Sequence, residues 1–386
     1  MKTIKFILLI AVILNGFITV AQDFSIKSPD DNIVINISNS KKLTYSVTIK
    51  GQSIINQSPM GFEFKDEEPM TGNFIVTDQK SNNVNEKWTP QINIPEIIEY
   101  AQSKNVKIIL WLYSSDVNRN AAYKQAFPIY QKWGVSGIKI DFMDRDDQQM
   151  VNWYHDIIKC AAENHLLVDF HGAYKPDGII RTYPNMITRE DVMGNEYYKF
   201  SDKMSPEHNV KLAFTRVLAG QMDYTPGGFL NVTKEKFRQQ TPAIVWITRA
   251  AELLKFVIYE SPLTVVCDHP DNILNKAGSD FLKIVPTVWD DIKFVGGYPG
   301  EYVAIAKRSG KIWFLGVMNN SIGKSVDISL DFLPAGNYAM EMWTDSKKSD
   351  KEPMDLKKSE KQVNSVDTIK VTMAKNGGYV ALIKSK

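Results

Sequence analysis

The sequence predicts an α/β fold built around a (β/α)8-type (TIM) barrel. Over residues 91–290, apolar strand-like runs alternate with stretches of helical periodicity, and the runs end in polar residues. Alternation of this kind is typical of parallel sheets, and a (β/α) barrel carries its active site at the carboxyl ends of its strands. Short alternating runs typical of antiparallel strands occupy residues 22–90 and 291–386. An open doubly wound sheet is the alternative for the central region.

Residues 1–21 have the pattern of a secretory signal peptide. Lys2 and Lys5 precede an apolar run, and Thr19–Ala21 fits a small-residue cleavage site. An uncleaved membrane anchor is the alternative, but the run is shorter than the roughly 20 residues that a span needs, and Asn15 interrupts it. We therefore expect an exported, periplasmic protein with no membrane span after the signal.

Composition excludes several classes of function. The chain has 46 Lys and Arg against 44 Asp and Glu, which gives no electrostatic reason to expect a nucleic acid partner. No Gly-rich nucleotide motif, HExxH, GxSxG or CxxC spacing occurs, so nucleotide binding, zinc hydrolysis, serine esterase chemistry and thiol exchange have no support. Cys160 and Cys267 are the only cysteines, and the sequence leaves open whether they are free or bonded.

Residues 22–90 are expected to form β structure. Two apolar alternating runs, Ile33–Ile37 and Leu43–Ile49, flank the turn-prone Asn39–Lys42 as the strands of a hairpin would. Residues 291–386 show further short alternating runs separated by Gly, Asn, Pro and Ser. This pattern predicts an antiparallel C-terminal sandwich.

The central region begins with a predicted helix, because Pro95 has the place of a first-turn residue and Ile98 and Ala101 follow on one face. Strands and helices then alternate, as a parallel sheet requires. Predicted strands cover residues 106–113, 137–142, 166–172, 186–191, 220–224 and 263–269. Predicted helices cover residues 122–134, 148–165 and 236–259.

The apolar strand predicted at 137–142 contains one aspartate near its end, and three more aspartates follow it. Asp141 comes directly after Ile138 and Ile140, at the strand end where barrel enzymes carry catalytic groups. Asp144, Asp146 and Asp147 precede the helix that starts near residue 148. For Asp146 and Asp147 the expected role is capping of that helix and compensation of its dipole.

A second acidic group lies in "TREDVMGNEYY", where Glu190 ends a strand and Glu196 follows a glycine turn. Two carboxylates facing each other across a barrel mouth could cleave a glycoside, one attacking or directing attack and the other protonating the departing oxygen. Ordinary loop carboxylates are the alternative. His171 could donate to a sugar hydroxyl or be a core histidine, and Trp111 could stack on a sugar or be a core residue.

Three motifs, "GIKIDFMDRDDQ", "VDFHGAYKPDGIIRTYPNM" and "TREDVMGNEYY", in this order, resemble glycoside hydrolase family 97. The resemblance runs from Pro90 to the C-terminus. It implies an exported α-glycosidase with an N-terminal β-sandwich, a catalytic (β/α)8 barrel, a C-terminal β-sheet domain and an active-site calcium ion. It also implies an oligosaccharide or α-galactoside as the substrate.

The resemblance assigns a branch and a role to each site residue. Inverting members have a glutamate after the histidine of the "DFH" strand, where this chain has Gly172, whereas retaining members have an aspartate at the position of Asp141. It therefore implies a retaining α-galactosidase that cleaves terminal α-galactosides and has Asp141 as nucleophile. The remaining roles implied are Glu196 as general acid and base and as a calcium ligand, Glu190 as a calcium ligand, and Lys139, His171 and Asp144 as substrate-binding residues.

The match departs from the family on its N-terminal side. Residues 22–90 resemble only the start of the family's sandwich, and "QINIPEIIEYAQ" resembles a point already inside the barrel. The resemblance therefore implies an internal deletion and an incomplete barrel, which would leave an unpaired strand edge beside the site. An α-glucosidase of the same family and a catalytically inactive carbohydrate-binding remnant are the alternatives.

Overall fold

The computed structural model describes residues 22–72, 74–78, 80 and 93–386. It has two compact units, Met1–Pro90 and Gln91–Lys386. The predicted signal peptide and the junction at which the family resemblance breaks lie outside the described residues. Within the described residues, no helix combines the length and the apolar character needed to cross a membrane.

The first unit contains a four-stranded antiparallel sheet in the order β1-β2-β3-β4. Strands β2 and β3 pair from Ile33↔Ile49 to Asn39↔Leu43, which confirms the predicted hairpin. The pairing of β3 with β4 is irregular near Val47. The strands are β1 (Gln22–Lys27), β2 (Ile33–Asn39), β3 (Leu43–Ile49) and β4 (Gln52–Pro59).

The second unit begins with a four-stranded parallel sheet in the order β5-β6-β7-β8. The prediction of parallel strands is thereby confirmed. The register pairs Trp111 with Lys139 and Tyr113 with Asp141, so these four side chains share one face of the sheet. Ile138 and the residues that alternate with it cover the other face and are fully buried. The strands are β5 (Ile109–Tyr113), β6 (Gly137–Asp141), β7 (Leu167–Phe170) and β8 (Met186–Arg189).

Helices accompany this sheet as predicted. Asp147 caps the longest helix, since its carboxylate accepts from the backbone N–H groups of Gln149 and Met150. The capping role expected for Asp147 is confirmed, and Asp146 is exposed beside it. The helices are α1 (Ile94–Ser103), α2 (Ser114–Asn118), α3 (Tyr123–Trp133) and α4 (Gln148–Glu163).

In the following region, two strand predictions and the predicted extent of one helix are wrong. Residues 220–224 and 263–269 form no strand, and the helix expected over 236–259 is confined to Arg249–Ile258. Segment 220–224 makes isolated backbone hydrogen bonds instead of a regular β-ladder. The Met222 N–H donates to Glu260 O, and the Asp223 N–H donates to Arg189 O. The helix cannot extend back through Pro242, because a residue before proline disfavours helical geometry, and Thr248 caps it.

The four described parallel strands therefore amount to half of the eight that a complete barrel would have. The eight-stranded barrel stays a prediction. The remaining helices of this unit are α5 (Pro206–Leu212), α6 (Arg249–Ile258), α7 (Pro270–Ile273) and α8 (Ser279–Leu282).

The C-terminal region confirms the predicted antiparallel strands. Six strands form one sheet in the order β14-β13-β16-β11-β10-β9, and β12 pairs with β15. The strands are β9 (Asp291–Tyr298), β10 (Tyr302–Ser309), β11 (Ile312–Asn319), β12 (Lys324–Ser329), β13 (Asn337–Asp345), β14 (Leu356–Asn364), β15 (Thr368–Met373) and β16 (Gly378–Ser385).

Helix α6 joins this sheet to the rest of the second unit. All of its residues are buried, and it packs against β10, β11 and β16. Gly378 permits the close approach, because a Cβ atom there would lie 3.0 Å from the Cα of Ala251. The helix is buried on every side, so its charged residues need partners inside the protein.

Candidate active site

The predicted site residues converge at the carboxyl ends of three neighbouring parallel strands. Asp141 ends β6, His171 follows β7 and Glu190 follows β8. Because parallel strands end at the same edge of a sheet, side chains far apart in the sequence meet there. The alternation of apolar residues in β6 and β7 directs Lys139, Asp141, Asp169 and His171 to one side.

Asp141 is buried and firmly held. Its Oδ1 accepts from the backbone N–H of Phe142 at 2.7 Å, and its Oδ2 accepts from Trp111 Nε1 at 3.1 Å. Gly172 faces it in the left-handed region, with φ +63°. A Cβ atom at Gly172 would lie 3.1 Å from Asp141 Oδ1 and 3.0 Å from the amide nitrogen of Phe142. The Asp141 carboxylate thus occupies space that a side chain at position 172 would need.

His171 connects three carboxylates. Its Nδ1 lies 2.8 Å from Asp223 Oδ2, and its Nε2 lies 3.2 Å from both Glu190 Oε1 and Glu196 Oε2. Burial disfavours the charged ring, but the hydrogen bonds to Asp223 and Glu196 outweigh it and raise the pKa of His171 to about 10. His171 is therefore an imidazolium at neutral pH and donates from both nitrogens.

The pKa values of Glu190 and Glu196 are shifted in opposite directions. Glu190 Oε2 accepts from the backbone N–H of Gly172 at 2.5 Å, and burial raises the pKa of Glu190. Glu196 accepts from Lys199 Nζ at 2.7 Å, and its hydrogen bond with His171 is the main reason that its pKa is lowered to about 2. In this arrangement Glu196 is ionised, so its use as an acid requires that these contacts weaken.

Asp223 is a residue of this site that the sequence did not identify as functional. Its Oδ2 accepts from Lys139 Nζ at 2.5 Å as well as from His171, and Asp169 Oδ2 lies 3.4 Å from the same lysine nitrogen. The only sequence feature that could have identified Asp223 is its place near the polar end of the strand predicted at 220–224, and no motif accompanies it there. We call Asp223, Lys139, His171 and Asp169 the Asp223 cluster.

The charges of the Asp223 cluster are strongly coupled. Burial, followed by the Asp223 charge, raises the pKa of Asp169 well above its usual range. Burial also opposes ionisation of Asp223, but His171 and Lys139 hold its pKa below the usual value. Burial acts against the Lys139 charge as well, and Asp169 and Asp223 together raise the pKa of Lys139. The Lys139 ammonium group thus pairs with two carboxylates of the protein. The predicted contact of Lys139 with a sugar hydroxyl stays a prediction.

Asp144 does not join this cluster among the described residues. Its backbone N–H donates to Gly172 O at 3.3 Å, and its side chain is exposed. Cys160 and Cys267 are free thiols.

The fit of the site to a calcium ion can be judged from its donors. Glu190 Oε1 and Glu196 Oε2 converge on His171 Nε2, so two carboxylates meet at one positive charge. Carboxylate oxygens are among the ligands that Ca²⁺ prefers, but the ion takes about 6 to 8 oxygen ligands in all, which include carbonyl groups and water. The described residues contain no group of three or more His, Cys, Asp or Glu arranged for a metal. The donor chemistry fits calcium, and other oxygens would have to complete the shell.

Three family models match the chain. The model "Glycoside hydrolase 97" matches residues 71–192, "Glycosyl-hydrolase 97 N-terminal" matches residues 26–108, and "Glycosyl-hydrolase 97 C-terminal, oligomerisation" matches residues 288–384.

Two curated relatives are similar to most of this chain. A retaining alpha-galactosidase of Bacteroides thetaiotaomicron is 33% identical over 298 residues, which is 76% of this chain and 45% of that protein. A probable retaining alpha-galactosidase of Streptomyces bingchenggensis is 32% identical over 296 residues, 76% of this chain and 44% of the relative. The chain spans about half the length of these curated relatives.

Solved structures agree with the sequence matches. A glycoside hydrolase family 97 enzyme from Pseudoalteromonas sp. strain K8, in complex with acarbose, superposes with a TM-score of 0.71 at 30% identity. The match covers 77% of this chain and 50% of that one. A beta-arabinopyranosidase superposes with a TM-score of 0.65 at 26% identity, over 75% of this chain and 48% of the other.

Proposed function

This chain belongs to glycoside hydrolase family 97, and we propose that it hydrolyses terminal α-galactosides with retention of anomeric configuration. The observation that carries this proposal is the contact between Asp141 and Gly172. A glutamate at position 172, as in the inverting branch, would place its Cβ atom 3.1 Å from Asp141 Oδ1. The packing of this strand end therefore favours a nucleophilic aspartate over a base at residue 172.

In the proposed reaction, Asp141 attacks the anomeric carbon and forms a glycosyl ester. The bond to the leaving oxygen breaks at the same time, and that oxygen receives a proton from Glu196. Glu196 then takes a proton from water, whose oxygen attacks the anomeric carbon and releases Asp141. Two inversions give net retention, which requires carboxyl groups about 5 to 5.5 Å apart.

Glu196 must gain a proton before it can act as the acid. Its lowered pKa rests mainly on the hydrogen bond with His171, and contact with Lys199 adds to it. A sugar hydroxyl that accepts the Nε2–H of His171 would remove the main cause, and exclusion of water would then raise the proton affinity of Glu196. We infer that substrate binding prepares the acid by drawing His171 away from it.

A calcium ion would be held by Glu190 and Glu196, if the role that the family resemblance implies applies here. When bound, it would hold sugar oxygens and lower the proton affinity of its carboxylate ligands. Calcium would then take the place of the His171 imidazolium as the cation beside these two carboxylates. Calcium titration should raise the midpoint of thermal unfolding, and Glu190→Gln should reduce that rise; an equal rise in both proteins contradicts the site.

Three further statements belong to this proposal. The parallel sheet β5–β8 is proposed as part of a (β/α) barrel, the protein is proposed to be exported to the periplasm, and its partners are proposed to be α-galactosides. The Pseudoalteromonas enzymes, solved with acarbose and with panose, support an oligosaccharide as the class of ligand.

Proton NMR of the first-formed sugar tests the reaction. An α-galactoside should give α-galactose first, and a β-configured first product would rule out retention. Asp141→Ala should lower the turnover rate by about 10⁶-fold, as removal of the nucleophile does in a serine protease. Asp146→Ala, which removes an exposed aspartate from the same segment, is the matched control. Equal rates for wild type and Asp141→Ala, or no hydrolysis by either, would favour a binding remnant.

A further inference from the structure

Three exposed aromatic rings lie beside Asp141, and we call them the aromatic platform: Trp111, Tyr113 and Phe142. Their exposed fractions are 53%, 43% and 49%, which is high for large apolar side chains in this part of a fold. The ring centroid of Phe142 lies 6.2 Å from that of Trp111, edge to face, and 5.5 Å from that of Tyr113. Phe142 is thus braced on two sides while its ring remains accessible.

The register of the parallel sheet fixes the platform next to the nucleophile. Trp111 pairs with Lys139 and Tyr113 pairs with Asp141, so both aromatic residues point to the same side as the site residues. Trp111 Nε1 also donates to Asp141 Oδ2 at 3.1 Å. The indole ring therefore lies within one hydrogen bond of the atom that would attack the sugar.

The backbone of Phe142 is strained. Its φ is +63°, a left-handed value that is rare for a bulky residue and costs on the order of 1–3 kcal/mol. Two hydrogen bonds hold it there, one from its own N–H to Asp141 Oδ1 and one from Ser114 Oγ to its carbonyl oxygen. Because the Phe142 ring is half exposed, its burial does not offset this strain energy. Strain of this kind is concentrated at functional sites.

We propose that the aromatic platform binds the apolar face of the galactosyl ring whose anomeric carbon Asp141 attacks, with Phe142 as the stacking ring. This inference rests on the proposed function. In a galactosyl ring the axial 4-hydroxyl leaves hydrogens of neighbouring carbons together on one face, which forms an apolar patch that an aromatic ring can cover. The platform would therefore favour galactose over glucose, whose 4-hydroxyl is equatorial.

Phe142→Ala tests the stacking contact. Galactose, the product, probes this subsite alone, and α-galactosyl fluoride probes it with a leaving group of one atom. The inhibition constant for galactose and the KM for the fluoride should both rise about tenfold, which corresponds to ~1.4 kcal/mol of binding. Phe294→Ala removes a ring that is 62% exposed on β9 and should leave both constants unchanged.

Trp111→Phe separates stacking from positioning. This variant keeps an aromatic ring but loses the N–H that donates to Asp141. It should lower kcat while the inhibition constant for galactose stays within about twofold, a change of under about 0.5 kcal/mol, because the aromatic ring is kept. Trp111→Ala should change both quantities. Thermal unfolding of each variant shows whether the fold is retained.

Each alternative outcome is separable. If wild type binds galactose and Phe142→Ala binds it equally well, the stacking proposal is wrong while the proposed function stands. If only the KM for a galactosyl disaccharide rises, the platform holds the leaving sugar and the proposal is again overturned. If wild type neither binds galactose nor hydrolyses either substrate, the proposed function fails, and the inference fails with it.

Discussion

Two buried charged clusters in the second unit differ in how completely their polar atoms are satisfied. The Asp223 cluster lies at the candidate site. The other, which we call the Glu252 cluster, lies inside α6 and its surroundings and is formed by Glu252, Lys255, Asn195 and Tyr224. Every one of these four residues is at most 1% exposed.

In the Glu252 cluster each charged atom has partners. Glu252 accepts from Lys255 Nζ at 2.7 Å and from Asn195 Nδ2 at 2.6 Å, and two backbone N–H groups complete its shell. Lys255 Nζ also donates to Asn195 Oδ1 and to the Tyr224 hydroxyl. Burial lowers the pKa of Lys255, although Glu252 opposes this effect. Such a cluster stabilises one arrangement of the chain.

In the Asp223 cluster, several buried polar atoms lack hydrogen-bond partners among the described residues. Within the described part of the chain, neither carboxylate oxygen of Asp169 has a hydrogen-bond partner, and neither does Asp223 Oδ1. The 3.4 Å between Asp169 Oδ2 and Lys139 Nζ is an ion-pair contact without hydrogen-bond geometry. Unsatisfied buried polar groups lower stability, and natural proteins keep them mainly at functional sites. We therefore propose that the Glu252 cluster serves the fold and that the Asp223 cluster serves the proposed reaction.

The largest expected effect comes from Lys255→Met. This change leaves the Glu252 carboxylate buried without its cation, and it should lower the free energy of unfolding by about 3–5 kcal/mol. Denaturant unfolding measures this loss.

Two controls sharpen that result. Lys307 is equally buried, but its partner Glu260 has a side chain 31% exposed, so Lys307→Met should cost less because water can solvate the carboxylate left behind. Combining Glu252→Gln with Lys255→Met removes both charges and should recover part of the lost stability. A Lys255→Met protein as stable as wild type would contradict the assignment of this cluster to the fold.

The second prediction concerns Asp223→Asn. The amide keeps the shape of Asp223 but removes the charge that holds Lys139 and His171, so kcat/KM should fall by about 100-fold, as for other residues that orient a catalytic group. Relief of the repulsion with Asp169 should limit the loss of unfolding free energy to about 1 kcal/mol.

The readouts for this variant must separate activity from stability. The pKa of His171, followed by NMR of its ring, should fall in Asp223→Asn, a change that a purely structural defect would not produce. Loss of stability as large as that of Lys255→Met, with activity intact, would reverse the comparison.

The third prediction concerns the pH dependence of stability. The pKa of His171 is about 10 in the fold, above the ordinary histidine value of 6.5. Its charge therefore stabilises the protein fully below pH 6.5, and that contribution is lost as pH rises toward 10. His171→Asn should flatten the unfolding free energy over this interval.

His208 provides a control of opposite sign. Burial lowers its pKa, so protonation of the unfolded chain destabilises the protein as pH falls below 6.5. A protein in which His171→Asn changes nothing between pH 6.5 and 10 would contradict the imidazolium at the centre of the Asp223 cluster.

The local pattern of the sequence predicts much of this fold. Alternation in β6 and β7 predicts parallel strands with Asp141 and His171 at their ends, and Asp147 is recognisable as a helix cap. These features depend on neighbours within a few residues, so spacing is sufficient to identify them. The strand predictions at 220–224 and 263–269 are wrong because these segments make isolated backbone hydrogen bonds with distant segments and form no regular β-ladder.

The order of the strands, the carboxylates at their ends and the glycine opposite Asp141 can all be read from the amino-acid sequence. Which charges meet depends on how distant segments pack together. Asp223 contacts Lys139 across 84 residues and His171 across 52, and no spacing in the chain encodes either contact. The left-handed backbone of Phe142 is likewise held in part by a hydrogen bond from Ser114, 28 residues away. Hydrogen bonds and charge pairs act over a few ångströms in space, whatever the distance along the chain, so packing assigns the partners.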